Sequence, residues 1–210
     1  MIRAATPEDV PAIHAMVREL AAFEKAPHEA RATVEQLHAA LFGPDPVASA
    51  LVAVDGPADG FSGPAGASGS AADAPTGEEA AEETGAEAGT ETGAFEPVGF
   101  ALWFRNFSTW TGTPGLYLED LYVRPEWRGA GHGGALLAEL AAVCVERGYE
   151  RFEWSVLDWN EKALAVYRSI GALPQDEWTV QRLGGPALRA LAERAAGADR
   201  SPNQARAHAR

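Results

Sequence analysis

The chain has 210 residues, 46% of them hydrophobic and 22% charged, with a formal net charge of −13. Those proportions belong to an ordinary globular protein and exclude a wholly disordered chain, a collagen-like repeat or a coiled coil; the acidic balance argues against a nucleic-acid partner, whose binders are usually basic. The acidity is concentrated: residues 55–96 carry ten Asp and Glu and no Lys or Arg, so the remainder, with 20 acidic and 17 basic side chains, is close to neutral.

Ile2–Ala4 is expected as an edge strand. Thr6 offers a helix N-cap, Pro7 suits the first helical position, and Asp9 stands three residues after the cap. Val10, Ile13, Val17 and Leu20 then recur at helical spacing. A second helix starts after Thr33, takes in Leu37 and Leu41, and ends at Pro44 and Pro46. Residues 47–54 and 98–107 read as strands. Between them, residues 55–95 are mostly Gly, Ala, Ser, Thr, Pro and Glu. Such a segment lacks the apolar surface to offset its ordering entropy. It is expected to be a disordered insertion, with an acidic interaction arm as the other reading.

Gly112, Thr113, Pro114 and Gly115 make a turn, and residues 116–123 a third clear strand. Leu136, Leu137, Leu140 and Val143 mark a helix over 131–146, which Gly148 stops. Residues 152–157 read as a short strand, Asn160 caps a helix through Ile170, 177–183 read as a last strand, and 186–195 as a last helix. The expected fold is α/β, a single domain over residues 1–192 with a mixed, mostly antiparallel central sheet flanked by helices, followed by a disordered tail over 193–210.

The single Cys144 excludes an intrachain disulfide and a cysteine-built metal site, which fits a reducing compartment. The opening residues hold no apolar signal-peptide core, and no run approaches 18 apolar residues. A cytoplasmic protein that does not enter a membrane is expected. His14, His28, His38 and His208 have no metal-ligand spacing, so no metal is expected.

Residues 117–134, Tyr-Leu-Glu-Asp-Leu-Tyr-Val-Arg-Pro-Glu-Trp-Arg-Gly-Ala-Gly-His-Gly-Gly, carry the most information. They read as a strand, a short turn and a glycine-rich entry into a helix. Gly129, Gly131 and Gly133 let the backbone come close to a ligand. The first-turn N–H groups lie free at the positive end of the helix, a site that suits a phosphate or pyrophosphate. Arg128 can add a charge-assisted contact. Gly129, Gly131 and Gly134 also satisfy the dinucleotide pattern G-x-G-x-x-G. In that fold the glycines follow the strand at once, whereas here residues 124–128 intervene, and Glu150 and Glu153 fall at the start of the next strand rather than its end. A loop that merely packs a helix is the remaining reading.

The order Arg-x-x-Gly-x-Gly, from Arg128 to Gly133, resembles the coenzyme-A pyrophosphate loop of the GNAT acetyltransferase superfamily. Four flanking motifs extend the resemblance to its diamine (spermidine/spermine) N-acetyltransferase branch: Glu-Leu-Ala-Ala-Phe-Glu at 19–24, Tyr-Leu-Glu-Asp at 117–120, Trp159-Asn160, and Val-Tyr-Arg-Ser-Ile-Gly-Ala at 166–172. It covers nearly the whole chain apart from 55–95 and the tail. The resemblance implies an acetyl-CoA-dependent N-acetyltransferase with a GNAT-type sheet, acting without a metal on a primary amine of a small cationic polyamine, diamine or lysine analogue. It implies that the backbone of Leu121, Tyr122 and Val123 contacts pantetheine, as does Asn160. Arg128, Gly129, Ala130, Gly131, His132, Gly133 and Gly134 would form the pyrophosphate loop, with no role for the His132 side chain. Tyr167 would protonate the departing thiolate, and Glu119 would receive the amine proton. Glu24, after Phe23, and Asp120 would hold the substrate cation. The branch commonly forms homodimers. Lys25, Pro27 and His28 break the dense acid run expected of a strict spermine enzyme.

Each role makes chemical sense. A lysine-like amine titrates near 10 and must lose a proton to attack; a carboxylate with a water path can take it. A thiol leaving group of pKa about 8.5 accepts a proton from a nearby phenol. Amine attack on bound acetyl-CoA needs no acyl-enzyme. Blander readings stand beside these. Tyr167, three residues after Leu164, has the spacing of a core aromatic; Asn160 is an N-cap in its own right; Glu24 ends a helix as a solvated charge; Cys144 reads as buried. Glu119 and Asp120 are adjacent on a strand and point to opposite faces. A non-catalytic acyl-CoA-binding module and an acetyltransferase of protein amines are the alternative functions.

Overall fold

The computed structural model describes residues 1–55 and 96–198. The expectation of a disordered insertion falls on residues outside that description. The described chain divides into two compact units, Met1–Asn160 and the part from Glu161 onward.

The first unit begins with β1 (Ile2–Ala4) and a single 3-10 turn (Pro7–Asp9) that runs into α1 (Val10–Phe23). Asp9 explains the corner. Its carboxylate accepts the Thr6 N–H at 2.7 Å and both terminal nitrogens of Arg3, at 2.6 and 2.8 Å. A buried acid is thereby fully used, joining β1 to the start of α1. Helix α2 (Val34–Phe42) opens on a reciprocal cap: the Thr33 hydroxyl accepts the Gln36 N–H, and the Gln36 side chain accepts the Thr33 N–H.

Strands β2 (Ser49–Val54), β3 (Pro97–Phe107), β4 (Pro114–Val123) and β5 (Phe152–Trp154) complete a five-stranded sheet in the order β1-β2-β3-β4-β5. The first three pairings are antiparallel and the last is parallel, as the sequence predicted. Helix α3 (His132–Glu146) supplies the crossover between β4 and β5.

Side-chain alternation divides the core in two. Val10, Ile13 and Met16 of α1, with Leu41 of α2, pack on Ala50, Val52, Val54, Phe100, Leu102 and Tyr122. Full burial of a side chain such as Phe100 or Ile13 stabilises by about 1.5–3 kcal/mol. Leu121 and Val123, of opposite parity to Tyr122, face the other way; a Cβ added to Gly133 of α3 would lie 3.9 Å from each. Leu136, Leu137, Leu140 and Cys144 are the buried face of α3, so the cysteine is structural, as expected.

Several boundaries differ from expectation. Strand β2 starts at Ser49 rather than 47, and β4 takes in Pro114 and Gly115, expected in the turn, because they pair with Phe107 and Asn106. Strand β5 stops at Trp154 rather than 157, because only Leu116–Leu118 of β4 pair with it. Residues 177–183 form no strand among the described residues; Trp178 and Val180 are 68% and 80% exposed. Alternating apolar residues stabilise a strand only against a pairing neighbour. In the second unit, α4 (Glu161–Ser169) is as expected, while α5 (Gly185–Ala198) runs past the expected start of the tail at 193. Ala195, Ala196 and Ala198, strong helix formers, carry it on.

Candidate functional site

The β3–β4 ladder contains one irregularity, and the candidate site is built around it. Trp103 pairs with Leu118, but its neighbour Leu102 pairs with Asp120, which leaves Glu119 as the extra residue of a β-bulge. The bulge reverses the phase of the strand. Leu118 and Leu121 share a face, since they lie opposite Trp103 and Ala101, and Asp120 joins Leu102, Phe100 and Tyr122 on the α1 side. Glu119 remains exposed.

The same point is where β5 leaves. Its ladder with β4 ends at Leu118 and Trp154. From Glu119 to Val123 the far edge of β4 therefore has no strand beside it among the described residues. Leu121 and Val123 turn their N–H and C=O groups to this open edge, where the Val123 carbonyl is already in use, and Tyr122 between them turns its own to β3; such an edge suits an extended amide-bearing ligand.

Beyond β4 a 3-10 turn (Pro125–Trp127) leads to the glycine loop. Arg128 closes it by donating its Nε–H to the Val123 carbonyl at 2.8 Å. Gly129 and Gly131 hold φ values of 87° and 88°, a left-handed conformation that favours glycine. Gly131 is the N-cap of α3, and no side chain caps that end. The first intrahelical bond runs from the Ala135 N–H to the Gly131 carbonyl, so His132, Gly133 and Gly134 keep their N–H groups free of helix bonding. Ala130 spans the two left-handed glycines. Free N–H groups at a helix N-terminus are the kind of geometry that suits an anion.

The charges of two carboxylates act on a third beside the bulge. Burial pushes the Asp120 carboxyl up to about 6, and the charges of Glu119 and Glu24 add to the push. Partial desolvation raises the Glu24 carboxyl as well. Phe23 and Glu24 end α1 and thus bring the substrate-binding residues read from the sequence to the same end of β4 as Asp120. Tyr122, on the same face, has its phenol raised first by burial and then by Glu19. Asn160 follows a turn in which its N–H donates to the Leu157 carbonyl at 2.8 Å. Tyr167 lies in α4, within the second unit; burial raises its phenol.

Sequence reasoning gave no role to the Lys25 or Trp159 side chain and no ring contact to Arg128. Arg128 stacks its guanidinium over the rings of Phe23 and Tyr122, and Lys25 lies over Trp159. The only sequence signal was Trp159 in its motif; the left-handed backbone of Lys25, φ 63°, has none. Among the described residues no group of three His, Cys, Asp or Glu could hold a metal, and no helix is long and apolar enough to cross a membrane.

A sequence model of the acetyltransferase (GNAT) family matches residues 75–172. The chain is 37% identical over 196 residues to thialysine N-epsilon-acetyltransferase of Mus musculus, covering 92% of this chain and 97% of that protein. It is 33% identical over 199 residues to L-ornithine N5-acetyltransferase NATA1 of Arabidopsis thaliana, covering 90% of this chain and 86% of the relative. Among solved structures, an integron cassette protein from the mobile metagenome of V. cholerae has a TM-score of 0.63 at 20% identity, covering 92% of this chain and 97% of that one, a likeness of fold alone.

Proposed function

The chain belongs to the GNAT acetyltransferase family and is an N-acetyltransferase; on that premise we propose that it moves the acetyl group of acetyl-CoA to a primary amine of a small cationic acceptor, a diamine, polyamine or lysine analogue, by direct attack in a ternary complex. What carries the acceptor class is the excess of negative charge around Asp120, which faces α1 beside the bulge and feels the charges of Glu119 and Glu24. Carboxylates crowded in this way gain most from a cation placed between them.

In this reading pantetheine lies along the open edge of β4 at Leu121, Tyr122 and Val123 and reaches Asn160. The pyrophosphate sits on the amides of 129–134. The ammonium of the acceptor is held by Asp120, Glu24 and the Phe23 ring, and loses one proton to Glu119, directly or through water. The neutral nitrogen attacks the thioester carbon, the C–N bond forms, the C–S bond breaks, and Tyr167 protonates the departing thiolate. The products are the acetamide and CoA thiol. Basic amino acids suit the site as well as diamines, and the relatives include enzymes named for thialysine and for ornithine.

The test is free-thiol release by purified protein with acetyl-CoA and a panel of diamines, polyamines, ornithine and lysine analogues. Turnover on at least one small amine is expected; CoA binding without turnover on any of them would refute the reading. A homodimer and a cytoplasmic location belong to the same proposal, supported by the family resemblance, and sedimentation of the purified protein tests the first.

A further inference from the structure

Five side chains from four segments form a connected stack of cations and rings. The Lys25 ammonium lies 5.2 Å from the centroid of the Trp159 ring. Trp159 meets Phe23 with centroids 5.5 Å apart and planes tilted at 52°. The Arg128 guanidinium lies 5.3 Å from the Phe23 ring and 5.3 Å from the Tyr122 ring. All these separations are within the range where ring quadrupoles attract cations and where tilted ring pairs are favourable. Burial alone does not explain the stack, since Phe23 and Trp159 are 39% and 47% exposed. Lys25 reaches Trp159 from a left-handed backbone that a residue with a Cβ adopts reluctantly.

The members of the stack come from both sides of the proposed reaction. Arg128 belongs to the glycine loop, where its Nε–H is fixed on the Val123 carbonyl. Trp159 immediately precedes Asn160. Phe23 and Lys25 flank Glu24 in the turn that ends α1. That turn is otherwise held by local bonds: the Glu24 N–H to the Leu20 carbonyl, the Lys25 N–H to Ala22 and the Ala26 N–H to Ala21.

We propose that the Lys25–Trp159–Phe23–Arg128 stack couples the acyl-donor side of the site to the Glu24 turn, so that binding CoA orders the turn that receives the amine. Trp159 and Lys25 are positioning residues in this scheme. They touch neither substrate, and they act by pinning the residues on either side of Glu24. The inference rests on the proposed placement of CoA on the glycine loop and Asn160. It adds a direction of information flow: the donor site is read out at the acceptor site, and by linkage the acceptor strengthens donor binding by the same factor.

The test is amide hydrogen exchange of the full chain, followed in peptides covering 24–29, with and without CoA as the probe. In the unaltered protein, saturating CoA should slow exchange there at least threefold. In Trp159→Leu the slowing should vanish while the Kd for CoA stays within threefold. Trp159→Phe, which keeps a ring, should restore most of it. Lys25→Met, an exposed change that leaves the ring in place, should give an intermediate slowing. A stack that only supports the fold would shift basal exchange without altering the response to CoA. Slowing that persists undiminished in Trp159→Leu, or no slowing in the unaltered protein despite CoA binding, overturns the coupling. Failure of CoA to bind the unaltered protein, seen directly in the titration, overturns the functional reading and the coupling with it.

Discussion

Asp120→Asn separates the electrostatic reading of the bulge from a merely steric one. The Asp120 carboxyl is raised from an ordinary 3.8 to about 6, by burial first and then by Glu119 and Glu24. The folded protein therefore holds this proton more tightly than the unfolded chain does. The ionised form is disfavoured in the fold by roughly two pKa units, or about 3 kcal/mol as an upper figure. Below pH 3.8 the carboxyl is protonated in both states and the penalty is absent. It grows between pH 4 and 6 and is complete above 6. Asparagine keeps the shape without the charge. The variant should thus match the unaltered protein in acid and exceed it in stability at pH 7.5 by up to ~3 kcal/mol. Urea unfolding midpoints from pH 4 to 8 measure this difference. Activity should move the other way. Losing a charge-assisted contact to the acceptor ammonium, worth about 1.5–3 kcal/mol, raises its KM roughly 10- to 100-fold. In the unaltered enzyme kcat/KM should fall as pH drops through about 6, and this limb should weaken in the variant. A stability difference that is constant across pH, or an asparagine variant less stable at pH 7.5, would refute the reasoning.

Further outcomes follow from other parts of the structure. Tyr167→Phe removes the proposed proton donor and should lower kcat on the order of 10²-fold, with CoA affinity measured by titration nearly unchanged; an unchanged kcat removes Tyr167 from the mechanism. Gly131→Val should weaken CoA binding and destabilise α3: a Cβ there meets open space within the protein, so the strain comes from the left-handed φ of 88°. Gly133→Ala is the control, since its Cβ would make ordinary contacts at 3.9 Å with Leu121 and Val123, and thermal unfolding should show it folded. Asp9→Asn weakens the double contact with Arg3, whose side chain is 34% exposed, and should cost about 2 kcal/mol at neutral pH. Although burial pushes the Asp9 carboxyl up, its bonds to Arg3 and Thr6 outweigh that and hold it low. Its stabilisation is present at neutral pH and is lost as pH falls through the depressed value, so the gap to the variant should close in acid. Deleting residues 58–92 should leave unfolding midpoint and thiol release nearly unchanged, because Val54 and Pro97 are already paired and a short loop can join them.

The sequence and the structure agree where a local signal has a local cause. Thr33 and Gln36 cap α2 because each side chain reaches the other's backbone three residues away. Gly131 precedes α3 in a left-handed conformation that glycine adopts without strain. The disagreements arise where partners decide. Residues 177–183 hold Trp178 and Val180 two apart, as a strand would, but that spacing supplies no neighbour to pair with. Glu119 and Asp120 illustrate the same limit more sharply. Strict alternation assigns them opposite faces and leaves their order undecided. The bulge decides it, at the point where β5 departs from the other edge of β4. Asp120 then turns toward α1, into burial beside Glu24, and Glu119 stays in the open as the unpaired residue. A sequence motif can place two acids at the end of a strand; which of them acquires a perturbed carboxyl is set by the third element packed against them, and here that element is the end of α1, with Phe23 pinned to Arg128 and Trp159.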